Sequence, residues 1–136
     1  MWRVVFLILM TMPGLAMAQE ALDADGFEAL TTGKTFYFSS GGEPYGAEEY
    51  LNNRRVRWSF LDGQCREGRW WQEGELICFI YEDDANAHCW TFRLEGGGLR
   101  AQFRDGSGAD EPVGRELYEL RQSKKPLHCL GPKVGV

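Results

Sequence analysis

Apolar and polar positions alternate along most of the chain after residue 33. Val56, Trp58 and Phe60 alternate with Arg55, Arg57 and Ser59, the period-two signature of a strand buried on one face. Residues 34–38, 66–72, 75–82, 88–94, 99–103 and 116–120 read as further strands. Between them lie Glu73-Gly74, residues 84–87 and Gly96-Gly97-Gly98, all rich in turn-forming residues. Ahead of the strands, residues 21–30 place Leu22, Phe27 and Leu30 at helical spacing, with Gly33 as a stop. Residues 39–42 read as a loop and residues 125–136 as an irregular tail. The pattern predicts a mainly β fold: an antiparallel meander forming a small barrel or sandwich, with a short N-terminal helix and an irregular C-terminal tail.

Opposite residues in an antiparallel pair share a face, so the turns set a register. A two-residue turn at Glu73-Gly74 places Trp70 opposite Ile77. A four-residue loop over 84–87 places Phe79 opposite Phe92 and Tyr81 opposite Trp90. A three-residue loop over 62–64 places Val56 opposite Trp70. All three put Val56, Trp58, Phe60, Trp70, Ile77, Phe79, Tyr81, Trp90, Phe92 and Leu94 on one face, the expected core. The other face carries Arg57, Arg69, Trp71, Leu76, Cys78, Ile80 and Thr91. It is part apolar, and the helix and tail are the segments available to cover it.

The first residues change the setting. Arg3, an apolar stretch over residues 4–12, the helix-breaking Pro13-Gly14 and the small-x-small Ala16-Met17-Ala18 match a cleavable signal peptide over residues 1–18. The apolar stretch is shorter than the ~20 residues a membrane-spanning helix needs. The expectation is a periplasmic or secreted protein with no stable membrane span after signal removal. Removing 18 of the 136 residues leaves a single domain over 19–136, with 14 Lys+Arg against 20 Asp+Glu. An acidic domain repels a phosphate backbone, which excludes nucleic acid as a partner class.

Cys65, Cys78, Cys89 and Cys129 all follow the signal. An even count in an exported domain of this size predicts two disulfides rather than a metal site. In the register above Cys78 faces Arg93, too far from Cys89 to bond it. A Cys78–Cys129 bridge would instead pin the tail over the outer face, and Cys65–Cys89 follows by exclusion.

Candidate chemistry is sparse. There is no G-x-S-x-G, and Ser107 lies between glycines in a polar loop. His88 and His128 are the only histidines. The acidic pairs Glu48-Glu49, Asp83-Asp84 and Asp110-Glu111 are neighbours in sequence, which points the two side chains apart in an extended chain; solvated turns are their default reading. Residues 82–86 offer several oxygens but lack the spacing of a calcium loop. Aromatics stand out more: Trp58, Trp90 and Tyr81 among the inward positions would line an apolar interior if the sheet closes. Outward Trp71 with Arg57 and Arg69 forms a second candidate contact site, since Trp and Arg are common interface anchors.

The runs G-K-T-F-Y-F, G-G-E-P-Y-G-A-E-E-Y, R-x-V-R-W, C-R-E-G-R-W, L-I-C-F-I-Y-E-D, H-C-W and L-H-C-L-G-P-K-V-G-V resemble a family of small uncharacterised exported proteins from Gram-negative bacteria, over residues 33–136. That resemblance implies a family but neither a substrate nor a site. The meander is also similar to small lipocalin-like barrels, without their G-x-W signature. The reading is a binding module, without a cofactor, for a small apolar ligand or an envelope protein. The rival is an envelope hydrolase using His88 or His128, which requires a histidine and a carboxylate in hydrogen-bond reach beside a cleft. A third reading, an inhibitor of an envelope hydrolase, requires a rigid protruding loop such as residues 45–53.

Overall fold

A computed structural model describes residues 13–14, 20–105 and 112–130. The signal-peptide stretch, apart from Pro13-Gly14, lies outside the described residues, as do Ser107 and the last six residues of the tail. Eight antiparallel strands follow one another around a closed barrel: β1 (Thr35–Ser40), β2 (Glu43–Tyr50), β3 (Arg55–Ser59), β4 (Arg66–Glu73), β5 (Leu76–Tyr81), β6 (His88–Glu95), β7 (Gly98–Asp105) and β8 (Glu116–Ser123). The ring closes where β1 pairs with β8, Phe36 facing Gln122 and Tyr37 facing Arg121. Closure leaves no free sheet edge. The expected mainly β meander is therefore a barrel, not a sandwich.

One short helix, α1 (Ala24–Thr31), precedes the strands. Asp23 caps it by accepting the Gly26 N–H at 2.8 Å. Two further bonds dock its entrance on the barrel: the Leu22 N–H donates to the Phe92 carbonyl at 2.7 Å, and the Ala24 N–H to Gln72 Oε1 at 2.7 Å. The helix does not cover the outer face, as the alternation suggested it would. It plugs one end of the barrel, where Phe27, fully buried, meets the rings of Tyr50, Trp70, Phe79 and Phe92 at 4.5–6.3 Å.

The inward positions are largely those the alternation identifies. Val56, Trp58, Trp70, Ile77, Phe79, Trp90 and Phe92 are buried, and Tyr81 packs against them. Phe60 and Leu94 are exceptions at 48% and 40% exposed, because each lies where its strand runs out at the barrel rim. The registers differ from expectation by even steps. Trp70 faces Phe79 rather than Ile77, Val56 faces Gly68 rather than Trp70, and Phe79 faces His88 rather than Phe92. The β4–β5 turn is Gly74-Glu75, with Gly74 at φ +57° in the first central position, where a left-handed conformation favours glycine.

The register shift re-pairs the cysteines. Cys78 lies directly opposite Cys89, Cα atoms 4.0 Å apart, and bonds it across adjacent strands. Cys65 bonds Cys129. The expected Cys65–Cys89 and Cys78–Cys129 pairs are thus both replaced, because the wider β5–β6 loop brings Cys89 back level with Cys78. The tail is still pinned, but elsewhere: Thr35 Oγ1 donates to the Lys125 carbonyl at 2.9 Å, the Leu127 N–H donates to Glu49 Oε1 at 3.3 Å, and Leu127 is buried. It covers the outer side of β1 and β2, not the face around Trp71. Two disulfides fit an oxidising, extracellular compartment. No helix among the described residues is long and apolar enough to cross a membrane.

Candidate functional site

The end of the barrel opposite α1 holds a cavity of about 80 Å³, lined by side chains from seven strands and the rim. Trp58, Tyr45, Tyr81, Trp90, Phe38 and Leu117 supply most of its apolar wall, and Phe60 stands at the mouth. Two inward positions let aromatic rings of this wall lie close against the barrel backbone. Gly46 on β2 and Gly68 on β4 contribute no side chain, and neighbouring rings lie across them. A Cβ on Gly46 would come within 2.3 Å of the Trp58 ring, and one on Gly68 within 2.7 Å of the Tyr81 ring. Glycine inside a strand here marks a close approach that fixes two rings of the site.

Four polar groups enter this apolar space. Glu48 is inward on β2, between Phe36 and Trp58 in register, and only 2% exposed. The Tyr81 hydroxyl donates to Glu48 Oε1 at 2.7 Å, while Glu48 Oε2 is buried with no hydrogen-bond partner among the described residues. Burial pushes the Glu48 carboxyl up to about 8, against the opposing pull of the Tyr81 hydrogen bond and the Arg66 charge. At neutral pH it is a neutral acid. Burial also raises the Tyr81 and Tyr50 hydroxyls, with the Glu48 charge adding to both.

Arg66 is inward at the start of β4, opposite Trp58. Its guanidinium lies over the rings of Phe60 and Tyr81, at 5.3 and 5.2 Å, and Nη1 donates to Asp83 Oδ1 at 3.2 Å. Its Nε is buried without a partner among the described residues. His88, at the start of β6, also lines the cavity, and its Nε2 lies 2.7 Å from Asp84 Oδ2. That hydrogen bond, with one from the Asn86 N–H, holds the Asp84 carboxyl below the usual carboxylate range.

The sequence-derived candidates divide cleanly. Trp58, Trp90 and Tyr81 come together in the cavity wall. Trp71, Arg57 and Arg69 lie on the outer surface of β3 and β4. Arg69 stacks on Trp71 at 5.1 Å, and Trp71 Nε1 donates to Glu73 at 3.0 Å. Arg57 turns to Glu67 and Glu49, at 2.8 and 3.3 Å. His128 is exposed in the tail, away from the cavity. Residues 45–53 do not protrude as a loop: residues 45–50 form most of β2, which removes the loop on which the inhibitor reading relied.

Glu48 and Arg66 are the residues the alternation misses. The two carboxylates at 48 and 49 do point to opposite faces, as an extended chain requires, but Glu48 faces the interior rather than solvent. Its signal was parity: it lies two residues before inward Tyr50. Together the fold and cavity define a closed eight-stranded barrel, plugged at one end and open at the other to an aromatic pocket with a buried acid. No protein-family model, no curated protein and no solved structure matches this chain.

Proposed function

We propose that this protein is an exported, periplasmic binding module that takes a small apolar ligand into the open end of its barrel. The observation that carries the reading is the cavity itself. A barrel of eight strands has an interior just wide enough to be filled by side chains or to hold one small ligand. Here one half is filled by Phe27 and its neighbours, while the other keeps about 80 Å³ behind an open mouth. Since a water needs on the order of 10–15 Å³ measured this way, the space suits a single ring or a short acyl chain. The signal-peptide pattern and the two disulfides support export.

A neutral naphthylamine fluorophore tests the reading. Saturable binding with quenching of the Trp58 and Trp90 emission is expected, and Leu117→Trp, which fills the cavity from β8, is expected to weaken it at least tenfold. Absence of saturable binding to the folded wild type would sink the proposal.

The Asp84–His88 pair favours a second reading, a hydrolase, because it sets a carboxylate-oriented imidazole at the cavity wall. Among the described residues no serine or cysteine lines that cavity, so on this reading the imidazole would have to activate a water. Hydrolysis of short p-nitrophenyl esters, lost in His88→Ala, is the expected result on this reading. Turnover equal in wild type and variant removes it.

A further inference from the structure

Two buried polar atoms of residues lining one apolar cavity have no partner among the described residues: Glu48 Oε2 and Arg66 Nε. Burying a polar group unbonded is costly, so the groups that would satisfy both define the ligand that suits this site. Resting on the proposed binding function, we infer that the cavity takes a small monocarboxylate with an apolar body, its head group accepting hydrogen bonds from Arg66 Nε–H and from the Glu48 carboxyl.

The donor pattern distinguishes this head group from others. Arg66 has only N–H donors. The Tyr81 hydroxyl already donates to Glu48 Oε1, so a protonated Glu48 carries its hydrogen on Oε2. The neutral form is the one that burial favours at neutral pH. Both orphan atoms are then donors within the same aromatic wall, and a carboxylate offers two acceptor oxygens. An amine head would bring only further donors toward Arg66 and meet its positive charge. A neutral alcohol satisfies at most part of the pair. The body of the ligand would lie among Trp58, Tyr45 and Trp90, where apolar contact supplies most of the affinity.

The ionisable groups lining the cavity with Glu48 come from several strands: Tyr45 and Tyr50 on β2, Arg66 on β4, Tyr81 on β5 and His88 at the start of β6, the last paired with Asp84 of the preceding loop. The neighbouring wall positions of β1 and β3 present Phe36 and Trp58. When Glu48 ionises, its new charge faces the ligand's own, so carboxylate binding weakens as the pH rises through about 8. An amine ligand would respond in the opposite direction.

Benzoate, benzyl alcohol and benzylamine, competed against the neutral fluorophore on the oxidised wild-type protein, form the test. Benzoate is expected to bind at least tenfold more tightly than either analogue at pH 7, and to lose at least fivefold by pH 9. Arg66→Met is expected to cost benzoate about tenfold and benzyl alcohol little. Glu48→Gln should remove the loss between pH 7 and 9, which separates this group from His88. Equal affinities, or a preference for benzylamine, overturn the carboxylate assignment even if the fluorophore binds. If the fluorophore itself does not bind, the cavity is not a ligand site at all.

Discussion

Phe27→Ala is expected to lower the stability of the oxidised protein by about 4 kcal/mol, the loss typical of a buried phenylalanine cut to alanine. Phe27 is fully buried and makes edge contacts with Tyr50, Trp70 and Phe79 and a tilted one with Phe92, so four strands lose a shared partner at once. Little can collapse into the gap, because the surrounding wall is held by a closed ring of hydrogen bonds. Leu22 and Leu30 are only partly buried and their truncation should cost much less. Urea unfolding followed by tryptophan fluorescence, without reductant, measures the difference. A loss below about 1 kcal/mol would show that the helix is an ornament of the barrel rather than its stopper.

Glu48 governs the second large effect. Unfolded, its carboxyl releases a proton near 4.5; folded, near 8. Between those values the folded chain retains a proton that the unfolded chain has already lost. The stability linked to this group is therefore intact below pH 4.5 and declines as the pH rises towards 8, by about 1.4 kcal/mol per pH unit. The total comes to roughly 5 kcal/mol. Glu48→Gln keeps a neutral polar group of the same length beside Tyr81 and should abolish that slope. Unfolding free energies of both proteins at intervals from pH 5 to 8.5 are expected to diverge, the variant becoming relatively more stable with rising pH. Parallel curves would mean that Glu48 ionises as freely in the barrel as in water.

How much of this was legible beforehand depends on which property of the strands is asked about. Facing is a matter of odd and even positions, and every register error was an even step: two residues at β3–β4 and β4–β5, four at β5–β6. Even steps leave each side chain on its own face, so Trp58, Trp90 and Tyr81 reached the interior regardless. Pairing is less forgiving. Loop length sets it, and the loop before β6 is widened by Asp84, which binds the Asn86 N–H and the His88 ring. That single loop moved Cys89 opposite Cys78 and so changed both disulfides.

β2 was the larger omission. Its residues, EPYGAEEY, include a proline, a glycine and three glutamates, none favoured in strands. Pro44 is tolerated near the β1–β2 turn, Gly46 makes room for Trp58, and Glu49 lies on the outer surface beside Arg57. Within β2, Glu48 is the residue that violates the rule that inward positions are apolar. The local rule fails at the residue on which the candidate site depends, a common result where function rather than packing selects a side chain.

The barrel's seam also orders its assembly. Seven of the eight strand pairings join neighbours in sequence, several through short turns, and these hairpins form with little loss of chain entropy. The eighth joins the first strand to the last, and Phe36 must wait for Gln122. Until then β1 presents an unpaired edge, and Phe27 has an incomplete cage to fill. In a chain that emerges N-terminus first, the earliest strand is the last to be completed. Shielding that open edge is therefore the slow and vulnerable part of making this molecule.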